Sequence, residues 1–165
     1  MSLLSVKNLR VSFDTEAGLV EAVRGVSFDL GRERLGIVGE SGSGKTMTGR
    51  AVLRLIRPPG RIEADSLLFD GQDLMTASER EMRALRGPRI AMVMQDPKYS
   101  LNPVMKVGAQ LVEGLRQRDR MSKMDAHDKA IAALEAVQIR DPERVMEAYP
   151  HELSGGMGQR VMIAM

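Results

Sequence analysis

The run Gly39-Glu40-Ser41-Gly42-Ser43-Gly44-Lys45-Thr46 has the residue types and spacing needed to hold a chain of phosphates. It fits the pattern G-x-x-x-x-G-K-[ST], in which every fixed position has a physical task. Glycines reach the backbone angles that turn successive N–H groups to one side, so the loop becomes an anion-binding nest at a helix start. Lys45 is spaced to contact the β- and γ-phosphates of a nucleoside triphosphate, and the Thr46 hydroxyl to ligate Mg²⁺. An incidental glycine-rich turn could share this spelling. The flanks argue against it, because an apolar run precedes the loop and a helical pattern follows it, as phosphate binding requires.

A second glycine motif, Leu153-Ser154-Gly155-Gly156-Met157-Gly158-Gln159-Arg160, lies near the end of the chain. At a helix start the Ser154 hydroxyl and the N–H groups of Gly155 and Gly156 sit where the helix dipole favours a phosphate. Alone, the same residues read as a serine N-cap followed by flexible glycines. Gln95 closes an apolar run between the two motifs, and alone it would be a polar cap. Neither His127 nor His151 is assigned to metal or catalysis.

These residues need elements to position them. Residues 6–11, 20–23 and 26–30 have the length and β-branched content of strands, with a turn at 14–18. Leu35-Gly36-Ile37-Val38-Gly39 and Ile90-Ala91-Met92-Val93-Met94 are fully apolar runs, predicted to be buried parallel strands of an α/β sheet. After Lys45, the residues Met47, Ala51, Val52, Leu55 and Ile56 share a helical face until Pro58-Pro59-Gly60. A strand at 66–69, a turn at Asp70-Gly71 and a polar helix at 78–85 follow. From 103 to 149 the pattern turns helical, with Val104, Val107, Leu111 and Leu115 on one face. After a break at 121–123, Ala126, Ala130, Leu134 and Val137 form a second face. Pro150 ends this stretch, and Ser154 opens a last helix.

Composition narrows the function classes. The 165 residues suffice for one domain, and 43% hydrophobic content can fill its core. With no cysteine there is no disulfide and no Cys-ligated metal in this stretch. No run reaches the ~18 apolar residues of a membrane span, so no direct membrane insertion is expected. The net charge of +2 and 3% aromatic content lack the basic stripe and stacking rings of a dedicated nucleic-acid binder. Arg116, Arg118, Arg120 and Lys123 form the one basic cluster, which reads as a solvated helix exit. Met92, Met94, Met162 and Met165 sit in apolar runs as gap-filling core residues.

Taken together, Gly39 to Thr46, Gln95 and the LSGGQ-like motif at Leu153 resemble the ATP-binding subunits of ABC transporters. The wording Gln95-Asp96-Pro97, Ser100-Leu101-Asn102-Pro103 and Tyr149-Pro150-His151-Glu152-Leu153 is similar to the oligopeptide, dipeptide and nickel importers. The resemblance covers essentially the whole chain. It implies an α/β P-loop NTPase fold with an antiparallel β subdomain and an inserted helical subdomain, the C-terminal part of the core being absent. Residues 1–102 would be the nucleotide-binding core, 103–152 the helical subdomain, and 153–165 the signature motif with the start of its helix. The resemblance further implies ATP and Mg²⁺ as ligands, with Thr46 and Gln95 at the metal, Gln95 also near the attacking water, and Phe13 stacked on adenine. Ser154, Gly155 and Gly156 would meet the ATP of a second, head-to-tail ATP-binding subunit, identical or different. The segment after Gln95 would contact transmembrane permease subunits, placing the chain in the cytoplasm on the inner face of the cell membrane.

Two departures qualify the resemblance. Gly158 stands where the subfamily has Arg, and a helical glycine costs about 1 kcal/mol relative to Ala. Gly31-Arg32-Glu33 replaces a more usual Arg-Gly-Glu order, a change expected to be harmless. The family's Asp-Glu pair and switch His follow the signature helix, beyond Met165. These 165 residues are therefore expected to bind nucleotide without hydrolysing it efficiently. Two other readings are a soluble ABC-type ATPase acting on nucleic acid or ribosomes, and a non-catalytic nucleotide-binding fragment. The first calls for a basic surface and a long insertion that the sequence lacks.

Overall fold

In the computed structural model, which describes residues 2–94 and 100–165, β1 (Leu4–Thr15) and β2 (Gly18–Leu30) form a long antiparallel hairpin. Its turn is Glu16-Ala17, closed by the Thr15 hydroxyl donating to the Gly18 carbonyl at 2.7 Å. The pairs run from Leu4 opposite Leu30 to Thr15 opposite Gly18, with irregularities between Val6 and Ser12. Residues 20–23 and 26–30, predicted as separate strands, are one continuous strand through Gly25.

The free edge of β1 is shared by two short strands. β3 (Gly60–Glu63) pairs with Arg10 to Phe13, and β4 (Ser66–Phe69) pairs with Leu4 to Lys7. β5 (Gln72–Asp73) returns along β4 after the turn at Asp70-Gly71. All these pairings are antiparallel. Val6, Leu9, Val11, Val23 and Leu67 point to one side of this sheet and are buried there with Ala51 and Val52 of α1 (Lys45–Val52) and Met82 of α2 (Glu79–Leu85). Each such side chain contributes on the order of 1.5–3 kcal/mol by leaving water. α2 starts at a capping box: the Glu81 N–H donates to Ser78 Oγ at 3.3 Å, and the Ser78 N–H donates to Glu81 Oε2 at 2.7 Å. The Ser78 contacts hold the Glu81 carboxyl below its ordinary pKa.

Three expectations for the chain up to Met94 are corrected. Leu35-Gly36-Ile37-Val38 is not a strand, and its side chains are exposed, Val38 by 93%. Ile90-Ala91-Met92-Val93-Met94 is not a strand either, beyond one bridge between Ile90 and Arg86, and Val93 is exposed. An apolar run becomes a strand only where a neighbour takes up its backbone N–H and C=O groups. Among the described residues no strand lies beside either run. Finally, α1 stops at Val52 well before Pro58, because Arg54 takes a left-handed conformation (φ 51°) and turns the chain away.

The second unit begins at Val93 and its described part is helical. α3 (Val107–Asp119), α4 (Lys123–Ala136), α5 (Pro142–Glu147) and α6 (Gly155–Ala164) enclose Val107, Leu111, Ala130, Leu134, Val145, Met146 and Val161. Ser122 and Asp141 cap α4 and α5, each accepting from the amide three residues on. Gly108 lets α3 approach α5 closely, since a Cβ there would lie 2.7 Å from the Met146 carbonyl oxygen. Two assignments differ from the helical pattern. Val104 precedes α3 and is 79% exposed, and Met165 is exposed after α6. The basic cluster does mark a helix exit, with Arg116 and Arg118 in the last turn of α3 and Arg120 left-handed at its end.

Candidate functional site

The loop before α1 has the backbone of an anion nest. Gly42 (φ 84°) and Gly44 (φ 91°) are left-handed, and the Ser43 N–H donates to the Glu40 carbonyl at 3.2 Å to close the turn. α1 starts at Lys45 with no side chain capping its first turn, so its leading N–H groups are open to an anion. Farther in, the buried Thr48 donates its hydroxyl and its N–H to the Gly44 carbonyl, at 3.1 and 2.8 Å, which locks the loop to the helix.

Lys45 Nζ donates to the carbonyls of Gly39 and Glu40 at 2.6 Å each and reaches Ser43 Oγ at 3.4 Å. The ammonium is therefore held among the oxygens of its own loop. An arriving phosphate chain offers stronger, charged acceptors to a group already in place. Ser41 in the loop and Thr46 in the first turn of α1 are both exposed. For Mg²⁺ the chain offers the Thr46 hydroxyl. No group of three or more His, Cys, Asp or Glu side chains that could hold a metal ion exists among the described residues.

Phe13 is half-buried, opposite Val20 on β2 and Gly60 on β3. Its ring edge covers Gly60, where a Cβ would come within 2.6 Å of Cε1. This packing belongs to the sheet and leaves part of the ring to solvent. Gln95 lies outside the described residues.

In the second unit, Ser154 is the N-cap of α6, its Oγ accepting from the Met157 N–H at 3.3 Å. Capping leaves the hydroxyl proton free to donate. Gly155 and Gly156 are exposed, and no atom would obstruct a Cβ at either position. Both Ser154 and Gly156 open onto a cleft of about 740 Å³ whose other walls include Arg144 of α5 and Arg160 of α6. The approach to α6 is set by the 3₁₀ turn Pro150–Glu152, where the Glu152 carboxylate accepts from the Tyr149 N–H at 2.7 Å and His151 stacks on Tyr149. Gly158 is buried on α6.

Sequence reasoning found the loop but missed what braces it. The Thr48 hydroxyl, the Ala22 carbonyl against Gly44, and the arginines Arg54 and Arg86 at the far end of α1 all support it. Thr48 could have been found as a polar residue on the apolar face of α1. The other contacts join residues far apart in sequence, and no local pattern signals them.

Comparison with known proteins agrees with this geometry. The chain is 51% identical over 99% of its length to the oligopeptide transport ATP-binding protein OppD of Bacillus subtilis, of which it covers 46%. It is 47% identical to the dipeptide transport ATP-binding protein DppD of the same organism and 48% identical to OppD of Escherichia coli, covering 49% of each. The chain thus spans about half the length of the curated relatives it matches. Its fold is similar to that of a dimeric bacterial ABC transporter cassette, with a TM-score of 0.76 and 24% identity, over 98% of this chain and 67% of that one. It is also similar to cbiO1 of Clostridium perfringens, with a TM-score of 0.71 and 22% identity, over 99% of this chain and 60% of that one. These likenesses confirm the P-loop ATPase cassette as the fold class. The family model described as ABC transporter matches residues 23–165, from the second strand of the hairpin through the whole of α6, and the chain belongs to that family.

Proposed function

We propose that this chain is the ATP-binding part of an importer subunit, with a peptide as the transported solute. The observation that carries the reading is the phosphate loop itself: an uncapped helix start, two left-handed glycines and a lysine ammonium held at the loop's centre. The names of the relatives, oligopeptide and dipeptide transport ATP-binding proteins, support peptide as the solute.

In this reading the N–H groups of residues 39–46 and Lys45 hold the phosphates, and the Thr46 hydroxyl holds Mg²⁺, which when bound spreads the negative charge of the β- and γ-phosphates. The exposed part of Phe13 takes the adenine, and Gln95 senses the metal and the attacking water. Ser154, Gly155 and Gly156 present a free hydroxyl proton and two N–H groups to the nucleotide of a second ATP-binding subunit. The segment after Gln95 meets the transmembrane permease subunits, so the protein works from the cytoplasmic side of the cell membrane. No helix among the described residues is long and apolar enough to cross a membrane. Residues 1–102 act as the nucleotide core, 103–152 as the helical subdomain and 153–165 as the signature segment.

The test is calorimetry with MgATP on the parent chain and on Lys45→Ala. The variant is expected to lose most of its affinity and keep the parent's circular dichroism, because Lys45 contributes charge and little packing. Equal binding by the two chains would sink the proposal.

A further inference from the structure

The carbonyls at the C-terminal end of α1 are bound by the guanidinium of Arg86. Arg86, at the end of α2, donates from Nε to the Leu53 carbonyl at 2.8 Å and from Nη2 to the Arg54 carbonyl at 3.3 Å. Its Nη1 donates to Glu79 Oε1 at 2.7 Å, which fixes the plane of the group and draws the Glu79 carboxyl below its ordinary pKa. The side chain is only 22% exposed. Arg54 completes the clamp by donating from Nη1 to the carbonyls of Leu74 and Ala77.

This clamp matters because of what stands at the other end of the helix. α1 has eight residues and so is about 12 Å long. Its first residue is Lys45, and Gly44 immediately precedes it. A helix this short moves as one piece, so a shift at Leu53 is passed to the loop. The guanidinium also sits at the negative end of the helix dipole, where a cation is favoured. On its own chain Arg86 immediately precedes the turn in which Gly87 donates to Ile90, and that turn opens the run leading to Gln95.

We propose that Arg86 is a positioning residue for the phosphate loop, tying the far end of α1 to the segment that leads into Gln95. The inference rests on the nucleotide-binding reading above. Arg86 touches no nucleotide; it sets where the loop's N–H groups and Lys45 stand. Lysine at this position would keep the charge and lose the planar fork, which alone reaches two carbonyls and a carboxylate together.

The experiment uses the full 165-residue chain with Arg86→Gln and Arg86→Lys. Two readouts are taken well below the melting temperature: the amide resonances of Gly42 and Gly44 without nucleotide, and the MgATP dissociation constant. The expected result is that Arg86→Gln shifts the Gly44 amide and weakens MgATP binding about tenfold, and that Arg86→Lys recovers part of both. If Arg86→Gln does not fold, Arg86→Lys decides, with a shifted Gly44 amide and weakened binding expected. Variants that fold, bind MgATP within about twofold of the parent and leave the Gly44 amide in place would overturn the proposal, even if they melt at lower temperature. A parent chain without MgATP affinity would instead overturn the function proposed above, and the Gly44 amide shift would still decide the role of Arg86.

Discussion

Gly44 faces the backbone carbonyl of Ala22 on β2 so closely that a Cβ on Gly44 would lie 2.5 Å from that oxygen. The loop is therefore seated against the sheet by the absence of a side chain. Gly42 is also left-handed, but nothing obstructs a Cβ there. Gly44→Ala is expected to cost about 1–3 kcal/mol of stability and to displace the loop, lowering MgATP affinity at least tenfold. Gly42→Ala should show the conformational cost alone. Denaturant titration with calorimetry checks this, and equal losses in both variants would remove the Ala22 contact from the argument.

Ser154 caps α6, so its two roles can be separated by substitution. Ser154→Ala should cost the helical unit about 1 kcal/mol. Ser154→Asp retains a capping oxygen and should keep that stability, while placing a negative charge where a second subunit's phosphate is proposed to arrive. Hydrogen exchange of the α6 amides reads the first effect. Light scattering with MgATP reads the second, and nucleotide-dependent association is expected to fall in both variants. Undiminished association in Ser154→Asp would confine Ser154 to capping.

Asp119, at the end of α3, accepts from Arg118 at 2.9 Å and from Lys129 of α4 at 2.9 Å. These partners, Arg118 first and Lys129 second, hold its carboxyl well below the usual carboxylate range. A depressed folded-state pKa stabilises the fold above the unfolded value of about 3.9, and the contribution fades as pH falls below it. Asp119→Asn should therefore melt below the parent at pH 7, with the gap closing as pH drops beneath about 4. A gap independent of pH would mean that packing, and not charge, made the difference.

Leu35, Ile37 and Val38 expose an apolar run whose backbone pairs with no described strand. Such a segment promotes association between chains. The 165-residue chain is expected to self-associate with rising concentration, and Val38→Lys to reduce this without disturbing the hairpin. Concentration-dependent light scattering checks it. A strictly monomeric parent with a cooperative melt at about 45–65 °C, the ordinary mesophilic range, would show that the run is harmless.

By itself the sequence determined the features whose physics is complete within a few residues. The phosphate loop is one, because a nest of N–H groups is built by the angles of consecutive residues and closed by the Ser43 to Glu40 bond. The Asp70-Gly71 turn and the Ser154 start of α6 were legible for the same reason. Only the tertiary structure decided which apolar runs became strands. Leu35 to Val38 and Ile90 to Met94 have strand composition, but a strand is a pairing between distant segments, and composition does not supply the partner. It also decided that β1 would share its edge between β3 and β4, and that Arg86 would reach back to Leu53. Contacts of that kind depend on where the chain returns in space, which the packing of α1 and α2 on the hairpin fixes and no local spelling announces.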